Sequence, residues 1–107
     1  MRRGDLVAVS LPGDFGKPRP GLIVQADEFA DIASVTVLPL SSLLTDAPLV
    51  RLTVQPTSLN GLREPSQVMI DKAMTVRCEK VGQPFGRLED EAMLAVNRSL
   101  ALFIGFG

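Results

Sequence analysis

The segment "PRPGLIVQAD", residues 18–27, decides between helix and sheet. Its apolar run, GLIV at 21–24, is too brief for a helix and rich in β-branched residues, with prolines before it and polar residues after it. That is the pattern of a strand. Working outward, "DLVAVSL" (5–11) alternates Val7, Val9 and Leu11 against Leu6, Ala8 and Ser10, a second strand. "SVTVLPL" (34–40) is a third, with Pro39 demoting its end to a bulge or an edge. "LVRLTVQ" (49–55) turns Val50, Leu52 and Val54 inward and Arg51, Thr53 and Gln55 outward, and "SQVMID" (66–71) is a fifth. Turn clusters lie between them: "PGDFGKP", "ADEFAD", "SLLTDAP" and "PTSLNGLREP", the last with the turn dipeptide Asn60-Gly61. Five or so short strands at close spacing predict a small barrel or sandwich.

The final third changes period. Glu89, Asp90 and Glu91 place negative charge where it complements the positive end of a helix dipole, so a helix starts there. At 100° per residue Met93, Val96, Leu100, Phe103 and Ile104 form the core-facing stripe, with Glu91 and Arg98 opposite. Leu94 and Leu102 lie off the stripe. They are either singly exposed leucines or part of a subunit interface.

Composition narrows the chemistry. The chain has 107 residues, 46% hydrophobic and 21% charged with a net charge of -1, which fits one globular domain over 1–107 and names no partner by bulk charge. Charge is unevenly placed: Arg2, Arg3, Lys17 and Arg19 face only Asp5 and Asp14 in the first twenty residues. The absence of histidine excludes a Ser-His-Asp triad, a paired-histidine ribonuclease site and histidine metal ligands. Cys78 is alone, which excludes an intrachain disulfide or thiolate zinc site and reads as a small buried hydrophobe. No signal peptide, 18-residue apolar run, P-loop or dinucleotide fingerprint is present, so a cytoplasmic protein without a cofactor is expected.

"RRGDLVAVSLP", "GKPRPGLIVQAD", "VTVLPLSS", "SQVMIDKAMTV" and "GRLEDEAMLAVNRSLALFIGF" follow one another in an order that resembles the MazF/PemK family of toxin-antitoxin endoribonucleases along nearly the whole chain. The resemblance implies a mainly β fold with a C-terminal helix, a small SH3-like β-barrel, and a homodimer. It also implies metal-independent cleavage of single-stranded RNA, and a cognate antitoxin whose flexible acidic tail occupies the RNA groove.

By this resemblance Arg19 takes the place of the family's catalytic arginine. Pro18 and Pro20 stiffen the backbone on either side, and a guanidinium is suited to the charge of a pentacoordinate phosphorane. Ser41 stands where the family usually has a catalytic threonine and keeps a hydroxyl to orient phosphate. Asp71 matches an acidic position and is the candidate base for the 2'-hydroxyl proton, giving a 2',3'-cyclic phosphate and a 5'-hydroxyl. Phe15 to stack a base, Lys17 to attract phosphate, and Ser42 and Lys72 beside the catalytic candidates are the expected RNA contacts. The chain departs from its relatives in a short loop, "PGDFGKPRP", and in Met69 and Met74 where arginines occur, which leaves the general acid unassigned. Two other readings stay open: a CcdB-like gyrase-binding toxin, and a catalytically silent SH3-like binding module. The absence of tryptophan counts against the first.

Overall fold

A computed structural model describes residues 1–11 and 17–106. The five expected strands are present as β1 (Asp5–Val9), β2 (Arg19–Ile23), β3 (Ser34–Ser41), β4 (Arg51–Val54) and β5 (Ser66–Met69). Two more, β6 (Met74–Arg77) and β7 (Gly86–Arg87), precede the helix α1 (Asp90–Phe103). All pairings are antiparallel, in the order β4-β5-β3-β2-β1-β7, with β6 also bonded to β3. β6 and β7 are only four and two residues long, too short to show a period of their own. Their extended form is imposed by β3 and β1, their distant partners.

The sheet curves into a half-barrel between two cores. Leu6, Leu22, Leu38, Leu40 and Val68 face one core with Ile70, Leu88 and Val96 of the helix, while Val7, Val9, Ile23, Val35 and Val37 face the other. Each of β1, β2 and β3 therefore sends alternate side chains to opposite cores, and burial on both faces explains the unbroken apolar run of residues 21–24. The second core is enclosed because the chain leaving β6 crosses back to β1. The Ser10 N–H donates to the Lys80 carbonyl (2.9 Å), Val9 bridges Val81, and Phe85 N–H donates to Leu6 (2.9 Å). Cys78 packs, half-buried, against this core.

Pro39 lies inside β3, in the middle of the sheet and fully paired with Gly21. It neither ends the strand nor makes an edge. Val24 N–H donates to Thr36 across the β2 ladder (3.2 Å), so by antiparallel alternation Pro39 turns its missing donor away from β2. On that other side the neighbouring chain bulges. Leu40 pairs with Val68 and Val37 with Met74, so five residues, 69–73, span what two residues span on β3. The excess is taken up by a 3-10 turn, Ile70–Lys72, where the sequence pattern had extended the fifth strand to Asp71.

Asn60 is fully buried, and Gly61 has the positive φ of 67° that the turn requires. Asn60 Oδ1 accepts from Thr57 and Leu62 N–H, both at 3.0 Å, and Nδ2 donates to the Gln55 carbonyl (2.9 Å) and Glu89 (3.1 Å). A Cβ on Gly86 would lie 2.1 Å from the Asn60 carbonyl oxygen, so glycine is needed for β7 to pass. Glu89 is the residue before the helix, not part of its first turn, and its carboxylate reaches back to Thr57 and Asn60.

On α1, Val96 is buried and Ala92, Met93 and Leu100 pack against the first core. Phe103 and Ile104, expected on the core stripe, are exposed, because core contact along the helix ends at Leu100. Leu94 and Leu102 are exposed as their angular positions predict.

Candidate active site

The face that holds Val7, Val9, Ile23 and Val37 loses its cover at one end. Val9 pairs with Arg19, and continuing the β2–β3 register from Gly21–Pro39 by two residues sets Arg19 opposite Ser41. Ser41 pairs with Gln67, and Gln67 with Thr53. Cross-strand partners share a face, so Arg19, Ser41, Gln67 and Thr53 form one polar row across four strands. Two of the sequence candidates, Arg19 and Ser41, are thereby neighbours although 22 positions apart in the chain.

The row is held from below. Gln67 is buried, and its amide clamps the loop after β3 by accepting from the Thr45 N–H (3.0 Å) and donating to the Thr45 carbonyl (3.0 Å) and the Thr53 hydroxyl (3.2 Å). The Ser41 hydroxyl oxygen accepts from the Leu43 N–H (3.1 Å), which fixes the same loop from its other end. Its own hydrogen remains to be donated to an acceptor. Ser42 follows on this loop and is exposed.

Asp71 sits in the 3-10 turn after β5 and is engaged. Arg51 of β4 donates Nη1 to its carboxylate, and the two side chains are 16% and 25% exposed. Desolvation raises the Asp71 pKa, but the Arg51 hydrogen bond, the residue's own backbone N–H and the charges of Arg51 and Lys72 outweigh it, and the net shift is downward. Asp71 is thus an ionised carboxylate with reduced proton affinity. Arg51, assigned outward to solvent by strand alternation, instead lies in a part-buried ion pair. Sequence alone held no sign of that, because the pair depends on the β4–β5 register, Arg51 opposite Met69, and on the turn that follows it.

Lys17 and Lys72 are exposed beside Arg19 and Asp71 respectively. Phe15 lies outside the described residues. Part of the early basic cluster is spent elsewhere: Arg3 donates to the Val24 carbonyl (2.9 Å) and to Asn97 of the helix (2.6 Å).

A half-barrel with one C-terminal helix is also the fold of solved bacterial toxins. The toxin MazF-mt6 of Mycobacterium tuberculosis superposes with a TM-score of 0.81 at 22% identity, over 96% of this chain and 98% of that one. A MazE-MazF complex from Deinococcus radiodurans gives 0.80 at 16% identity, over 100% and 97%. A "Probable endoribonuclease MazF" of Mycolicibacterium smegmatis is 44% identical over 106 residues, 98% of this chain and 97% of the relative. Residues 2–104 match the model of the PemK-like, MazF-like toxins of type II toxin-antitoxin systems. The chain belongs to that family.

Proposed function

We propose that this toxin is an endoribonuclease that cuts single-stranded RNA without a metal ion. The observation that supports the reading is the β2–β3 register, which continued by two residues sets Arg19 opposite Ser41, a guanidinium and a hydroxyl suited to one phosphate. Arg19 stabilises charge on the phosphorane, and Ser41 donates to a non-bridging oxygen and orients the bond to be broken. The 2'-oxygen attacks phosphorus, the bond to the 5'-oxygen breaks, and Asp71 takes the 2'-hydroxyl proton. Its lowered pKa keeps Asp71 ionised at neutral pH while weakening its pull on that proton. Met69 and Met74 carry no proton to give, so neither is the acid that protonates the leaving oxygen. The products are a 2',3'-cyclic phosphate and a 5'-hydroxyl. Phe15, Lys17, Ser42 and Lys72 add base and phosphate contacts.

An antitoxin is the proposed protein partner, since solved relatives of the same fold are described in complex with theirs. A second copy of the chain is proposed along the exposed leucines of the helix. The reaction is tested on a defined RNA. Cleavage should continue in excess chelator and stop when the nucleotide 5' of the cut carries 2'-deoxyribose. Cutting of the deoxy substrate would exclude 2'-oxygen attack, and loss of activity with chelator would exclude the metal-free mechanism.

A further inference from the structure

Arg51 is fixed by two bonds that both leave from Nη1, one to Asp71 and one to the Val50 carbonyl (3.2 Å). Nε and Nη2 take no partner among the described residues. Those two nitrogens form the side-on edge of a guanidinium, whose parallel N–H groups match two oxygens of a phosphate. Stability alone accounts poorly for this arrangement, because a shielded ion pair gains little over apolar side chains of the same shape. Its position is more informative. Arg51 has the same strand parity as Thr53, so it shares the face of the Arg19–Ser41–Gln67–Thr53 row. It stands two strands across from Ser41 and two residues further along, about 12 Å by strand spacing and rise, which sets it beside a different phosphate from the one Arg19 and Ser41 hold.

We propose that Arg51 binds an RNA phosphate neighbouring the scissile one through Nε and Nη2, with Asp71 and the Val50 carbonyl holding the guanidinium in place. This rests on reading the protein as a single-strand endoribonuclease. Arg51 is then a binding residue that sets where the strand lies, and Asp71 has a second task as its anchor.

The test is binding of an RNA that the parent cuts, made resistant by 2'-deoxyribose 5' of the mapped cut, measured between 50 and 300 mM salt. The double variant Arg51→Met with Asp71→Asn removes one charge of each sign and leaves no carboxylate unpaired, and its melt shows whether it is folded. The slope of log affinity against log salt should become shallower by about 0.7, one phosphate contact on a single strand, with weaker binding at low salt. Arg51→Lys should keep most of the slope and still bind less tightly, since the charge stays and the fork is lost. A folded double variant with the parental slope and affinity overturns the inference alone. A parent that neither binds nor cuts RNA overturns the underlying reading, and the inference with it.

Discussion

Arg19 and Arg51 are the same residue type on the same face, and their surroundings differ. Arg19 opens β2 between two prolines and is exposed, and the continued β2–β3 register sets it opposite Ser41; Arg51 is shielded and paired with Asp71. Arg19→Ala should lower single-turnover cleavage by about a hundredfold to a thousandfold, the usual cost of removing one donor aimed at developing charge. The melting temperature should barely change, since an exposed arginine adds little stability. Arg19→Lys should recover little of the rate, and Ser41→Ala should cost less than Arg19→Ala. Parental rates from folded Arg19→Ala would take the residue out of the mechanism. Arg19 could be singled out from the sequence because its local setting, prolines before an apolar run, is itself unusual. Arg51 could not, because "VRLTV" is an ordinary alternating strand until its register against Met69 and the turn at Asp71 are known.

At the level of elements, the junction between β7 and α1 is bound to a loop thirty residues earlier. Glu89 accepts from the Thr57 hydroxyl and from Asn60, and the Thr57 bond, opposed by desolvation, holds its pKa below the ordinary value. A carboxylate with a lowered folded-state pKa contributes stability that is complete above its unfolded value and is lost as pH falls. Glu89→Gln should therefore lower stability at pH 7 by about 1 kcal/mol. The gap should close as pH drops below about 4, in circular dichroism melts of both proteins between pH 3.5 and 7. A gap independent of pH would mean the carboxylate's charge does not matter there. β4 was legible in advance from its alternation between core and outward residues, and β1, β2 and β3, buried on both faces, from apolar β-branched runs too short for a helix. β6, β7 and the turn at 70–72 were not: their shape is set by partners on β3 and β1, 37 to 43 positions away for β6 and 80 or 82 for β7.

Over the whole molecule, one stretch of uncovered apolar surface runs along the helix and the residues just after it. Leu94, Leu102, Phe103, Ile104 and Phe106 are all at least half exposed, and Leu102 and Phe103 line an open groove with Leu49, Val50 and Ser99. A second copy of the chain is the cover this surface would take, and one self-complementary patch suffices for such a pair. Light scattering at micromolar concentration should give twice the chain mass, and Leu102→Glu should shift it toward the single chain. A parent of single-chain mass at every concentration would remove the dimer. The closure of the half-barrel bears on time as well as on shape. Asp5 binds Arg87 at 2.9 Å across 82 positions, and among the described residues it is 80–88 that cover the outer edge of β1. Contacts of such sequence separation form late in folding. While the ribosome is still making this chain, its first strand has one edge bare until residue 87 has emerged. The half-barrel is therefore a shape the chain can take only once four-fifths of it has been made.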